Sequence, residues 1–134
     1  MNILQLRQTI TALVGDLAGS YVLPSGAKQA ALYVEGKYGV PKEWKIEGLE
    51  VVMRQYPEIL SQAMVGTVRK TKLWEVMLSQ YEPSNENLEP AIDRILRHFP
   101  DATIRNFPSS DRGFQYARII IVDVDIAFQY QHTV

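Results

Sequence analysis

The chain has 134 residues, of which 46% are hydrophobic and 22% charged, enough to build one domain around one core. Fourteen Lys and Arg against fifteen Asp and Glu leave a net charge of −1, which removes any general pull toward nucleic acid or an anionic membrane. Without cysteine there is neither a disulfide framework nor a thiolate metal site, and the longest purely apolar run, Ile119 to Val122, is far too short to cross a bilayer.

The opening M-N-I-L-Q-L-R-Q-T lacks the basic start and small-residue cleavage site of a signal peptide, so a soluble protein with no export signal is expected. Ile3, Leu6, Ile10, Leu13, Val14 and Leu17 form one stripe of an amphipathic helix. Asn2 stands where a cap belongs, Gln5 where its capping-box partner reaches back, and Gly19 with Ser20 ends the run. Such a helix cannot bury its stripe alone and requires a sheet beneath it.

Tyr21 to Leu23 reads as a short strand stopped by Pro24, Ser25 and Gly26. Gln29 to Glu35 reads as another, although its alanines also suit a helix. Gly36 to Gly48 carries three glycines and a proline, a long excursion of the kind that contacts partners. The plainer reading of those residues is a surface loop with Trp44 folded back onto the core. Leu49 to Gln55 alternates as a strand, Pro57 stops it, and Glu58 to Gly66 reads as a connection with room for one helical turn. Arg69 to Tyr81 is a long strand with Trp74, Val76 and Leu78 on one face and Thr71, Leu73, Glu75, Met77 and Ser79 on the other.

Leu88, Ile92, Ile95, Leu96 and Phe99 keep helical spacing. Pro90 belongs to the first turn, where its missing N–H costs nothing, which makes Asn87 the earliest cap. Arg94, Arg97 and His98 complement the helix dipole and Pro100 ends the helix. Ala102 to Asn106 opens a hairpin, turned by Phe107 to Gly113, that leads into the longest strand, Tyr116 to Tyr130. In that strand the even positions from Ile120 to Tyr130 are apolar and predict a face buried throughout. The odd positions, Ala117, Ile119, Ile121, then Asp123 and Asp125, predict a face buried early and wet late. At ~3.3 Å per residue it spans roughly 50 Å, whereas a compact domain of this length is only about 36 Å across. The strand must bend at a bulge or leave the domain and meet something else.

Asp123-Val-Asp125 places two carboxylates on one strand face, a pattern that holds divalent metal in some transferases and nucleases. The plainer reading is a solvated half-face, or carboxylates that meet Lys or Arg across an interface. Glu75 joins them only if the long strands pair in a suitable register. His98 and His132 are isolated, Ser109 and Ser110 sit among turn formers with no base nearby, and no Gly-rich turn links a strand to a helix. Arg69, Lys70 and Lys72 read as a solvated strand end which, in a ring, lines a bore or meets a neighbour's acids.

The order of elements, with the stripe Ile3 to Leu17, A-L-Y-V-E-G at Ala31 to Gly36 and K-L-W-E-V-M-L-S at Lys72 to Ser79, resembles the tail-terminator and head–tail joining proteins of tailed bacteriophages. The helix that follows and the final R-I-I-I-V-D-V-D-I-A-F complete the likeness, from which the strand Leu49 to Gln55 departs. The resemblance implies a non-enzymatic subunit without a cofactor that assembles as a ring, usually a hexamer, in the tail or neck of a virion formed in the host cytoplasm. Its implied partners are copies of itself, the tail tube protein and the neck or connector proteins, with DNA only passing through the lumen and no membrane contact.

The expected fold is α+β, a mainly antiparallel sheet with two helices packed on one face, in a single domain with the loop at about 36–48 as an interaction arm. The expected interface residues are Tyr38 and Trp44 as aromatic anchors, and Lys45, Asp123 and Asp125 for charge pairing. Two other classes fit the same residues: a small metal-dependent enzyme using Asp123 and Asp125, and an accessory binding module.

Overall fold

Asn2 and Gln5 decide where the chain begins to coil. The Asn2 side chain accepts from the Gln5 amide at 2.9 Å and the Gln5 side chain accepts from the Asn2 amide at 2.8 Å, so two otherwise unpaired donors are satisfied reciprocally. The computed structural model describes residues 1–36, 39–56, 59–64, 67–82, 87–108 and 115–128, with strand segments 59–64, 67, 106–108, 115 and 124–128 described as backbone. In it the first helix, α1, runs Ile3–Val14. It stops before the expected Gly19, because the chain turns at once and the Val14 carbonyl accepts the amides of both Leu17 and Ala18. Leu17 still packs against the core.

The strands follow as β1 (Ser20–Val22), β2 (Lys28–Ala30), β3 (Leu32–Val34), β4 (Lys45–Glu47), β5 (Leu49–Gln55), β6 (Ile59–Met64) and β7 (Thr67–Gln80). The second helix, α2, is Leu88–His98, and β8 (Thr103–Pro108) and β9 (Gln115–Phe128) complete the order. Together they make an α+β fold. A small antiparallel sheet has the order β2-β1-β4, and a larger one the order β3-β5-β7-β9-β8 with β6 also on β7. Among the described residues only the β3–β5 pairing is parallel.

Gln29 to Glu35 is not one strand. It breaks at Ala31, where the chain passes from the small sheet to the large one. The Ala31 amide donates to the Gly19 carbonyl at 3.0 Å and its own carbonyl accepts from Val51 at 2.8 Å. Ala31 is fully buried at this crossing, which suits a residue with one methyl group. A Cβ placed on Gly19 lies 1.9 Å from the Glu47 carbonyl oxygen, so only glycine admits the approach of these strands. Within the stretch expected to be a connection, Glu58 to Gly66, the described residues Ile59–Met64 form strand β6 instead. After β5 ends at Gln55, β6 pairs along β7 on the edge that β5 has just left.

Both helices cover one face of the large sheet. Leu6, Ile10 and Val14 of α1 and Leu88, Ala91 and Ile95 of α2 pack over Leu49, Val51 and Met53, Trp74, Val76 and Leu78, and Ala117, Ile119 and Ile121. Asn87 occupies the cap position of α2 but makes no capping bond; its amide donates to the Leu17 carbonyl at 2.9 Å and ties α2 to the end of α1. Arg94 adds a second tie, donating to the Leu13 carbonyl at 3.1 Å and to Asp16 at 2.7 Å.

On β9 the odd face is buried early, as its hydropathy predicts, but the even face is not buried throughout. The odd positions Ala117, Ile119 and Ile121 form the core, whereas Val122, expected on the buried face, is 44% exposed. Pairing decides this. Ile119 lies opposite Val76 and Ile121 opposite Trp74, which carry the helices, while Val122 lies opposite Leu73 on the reverse face.

Candidate functional site

Strands β7 and β9 form one antiparallel ladder from Thr67 opposite Phe128 to Gln80 opposite Gln115, with no register shift. Each has 14 residues, so at ~3.4 Å per residue the ladder is about 48 Å long. Neither long strand bends at a bulge within this ladder. Neighbours support only part of it: β5 ends at Gln55 opposite Trp74, and β8 begins with Thr103 opposite Ile120. Beyond those points β6 is the one strand among the described residues that flanks the ladder. The result is a three-stranded arm, β6-β7-β9. Among the described residues, the outer edge of β9 from Ile121 to Phe128 and the outer edge of β6 have no partner strand.

A charged cluster stands at the root of this arm on the face away from the helices. Glu75 is 1% exposed. Arg54 lies directly opposite it on β5 and reaches it at 3.3 Å; Arg118, two residues along β9 from Glu75's partner Ile120, reaches it at 2.8 Å. The Tyr56 hydroxyl donates to the same carboxylate and accepts from Arg118 at 2.9 Å. Arg54 also lies 5.3 Å above the Tyr56 ring and pairs with Glu35 at 3.5 Å. For Arg54, burial acts against the charge, but Glu75, Tyr56 and Glu35 outweigh it and raise the guanidinium's pKa. Hydrogen bonds to Glu75 and Tyr56 do the same for Arg118. Tyr56 directly precedes Pro57, so the cluster grips the chain where β5 gives way to β6.

A second buried carboxylate lies under the small sheet. The Tyr21 hydroxyl donates to Glu50 at 2.8 Å, with Trp44 and Tyr33 against the Tyr21 ring at 5.5 and 6.4 Å. Burial pushes the Glu50 carboxyl above its ordinary range, partly offset by the Tyr21 hydrogen bond. Burial and the neighbouring Glu50 push the Tyr21 hydroxyl up as well, so it remains a donor. A carboxyl with a raised folded pKa contributes its stability in acid and loses it as pH rises through that value. Glu50→Gln keeps an acceptor for Tyr21 and removes the buried charge. It is expected to stabilise the protein by about 1 kcal/mol at pH 8 and to change little at pH 4, read from thermal melts across that range.

The residues expected at an interface scatter. Trp44 is engaged with Tyr21. Lys45 is exposed on β4, opposite Val22 of β1. Tyr38 lies outside the described residues. Asp123 is 3.3 Å from the Met1 ammonium group and opposite Lys72; Asp125 is opposite Lys70. Thus the basic strand end and the Asp pair face each other in register within one chain. Glu75 does not join them, since it lies opposite Ile120, outside the Asp pair's stretch of β9. Among the described residues no three His, Cys, Asp or Glu gather to hold a metal ion, and no helix is long and apolar enough to cross a membrane.

The clusters on Glu75 and Glu50 escaped sequence reading as sites. The available signal was a charge set inside an otherwise apolar strand, as in L-W-E-V-M and L-E-V-V-M. The chain matches no protein-family model and no curated protein.

Proposed function

We propose that the chain is a non-enzymatic ring subunit of a bacteriophage tail or neck, a terminator that caps the tail tube and joins it to the head connector. The observation that carries this reading is the β6-β7-β9 arm, which extends past β5 and β8 and offers strand edges that have no partner strand among the described residues. A ring needs heterologous contacts, one surface against a different surface of the next copy, and a projecting arm with two distinct edges supplies that kind of surface. The order of elements supports the same reading through its resemblance to tail-terminator and head–tail joining proteins. In this role the partners are other copies of the chain, the tail tube and the neck, with DNA passing through the lumen in a virion assembled in the host cytoplasm.

The test is the native mass by light scattering, followed by negative-stain images. A closed ring with a central hole is the expected result. Protein that stays monomeric at high concentration and beside its tail tube overturns the reading.

A further inference from the structure

We infer that the outer edge of β9 at Ile121–Phe128 in one copy pairs in parallel with the outer edge of β6 in the next, joining the arms into one continuous sheet. This rests on the ring reading above and names its contact. Natural sheet edges are protected by lysine, proline or a covering element, because an unpaired edge recruits other chains. β6, I-L-S-Q-A-M, has no charge and no proline, and the β9 run I-V-D-V-D-I-A-F has neither lysine nor proline. The two edges are similar in length and border opposite sides of the same arm. Both strands run antiparallel to β7 and are therefore parallel to each other. Copies rotated about an axis along the arm thus present β6 to β9 in parallel.

A second copy is the occupant that leaves no edge exposed, since one repeated contact covers both. Pairing β9 with β9 about a two-fold axis covers one edge and leaves every β6 open. Centred on Val124, it also sets Asp123 of each copy opposite Asp125 of the other, two like-charge pairs. Against neutral β6 these carboxylates meet no like charge.

Two full-length variants test the contact. One carries Ser61→Glu and Gln62→Glu on β6, which bring negative charge to the neighbour's aspartates. The other carries Val122→Lys and Val124→Lys on β9. Each alone is expected to drop from the assembled mass to the monomer in light scattering. Mixed one to one, they are expected to form a heterodimer, because each retains the edge that the other lacks; heterodimer formation also shows that both are folded. A β6 variant that assembles like the wild type overturns the inference, as does a mixture that stays monomeric. In both outcomes an assembled wild type leaves the ring reading standing. A monomeric wild type overturns both.

Discussion

Glu75→Ala is expected to destabilise the protein by about 2–4 kcal/mol, toward the lower part of the cost of breaking a buried ion pair, because its cationic partners remain partly in water. The Arg118 and Arg54 side chains are 30% and 39% exposed, whereas Glu75 is 1% exposed. Without Glu75 the two guanidinium groups face each other over Tyr56, and Glu35 is the one acidic partner left to Arg54 among the described residues. At this chain length the loss corresponds to a fall in Tm of roughly 10 °C. Glu75→Gln keeps the shape and an acceptor for Tyr56 but no charge, so its cost is expected to lie between wild type and alanine. Urea melts of the three proteins give the ordering. An unchanged midpoint for the alanine variant refutes the cluster's stabilising role. Since Tyr56 precedes the break between β5 and β6, the alanine variant is also expected to lose assembly at temperatures where it is still folded.

Trp74→Ala is expected to cost about 3–5 kcal/mol, the range for emptying a large aromatic site in a packed core. Trp74 is fully buried on the helix-covered face, opposite Gln55 on β5 and Ile121 on β9. Its indole N–H finds no acceptor among the described residues. Trp74→Phe therefore loses volume but no hydrogen bond and is expected to cost less than about 2 kcal/mol. Denaturation midpoints separate the two terms: a phenylalanine variant as unstable as the alanine one reveals a bond to the indole.

Much of this framework is legible locally. The capping box at Asn2 and Gln5, the alternation of Leu49 to Gln55 and the face Trp74, Val76, Leu78 all follow from periods that a few neighbouring residues establish. The excess length of the final strand is equally visible, and it corresponds to an unbroken ladder that outruns β5 and β8. Residues 129 and 130 of that strand lie outside the described residues.

The candidate site was harder to read. Pro57 looks like a stop, yet the β7 edge is free beyond it and the chain continues there as β6. Arg54, Glu75 and Arg118 come from three strands and Tyr56 from the residue just after β5, and only the strand registers bring them within hydrogen-bonding distance.

By itself the sequence determined the class of fold, both helices and their buried stripes, and the existence of two overlong strands. Each of these depends on residues within a turn or two of one another, where period and capping act. Only the tertiary structure decided which face of β9 meets the helices, where the chain changes sheets at Ala31, and that Glu75 sits with two arginines rather than with Asp123. A strand with apolar residues on both faces can be buried either way. The choice falls to partners far along the chain, whose register a local pattern does not encode.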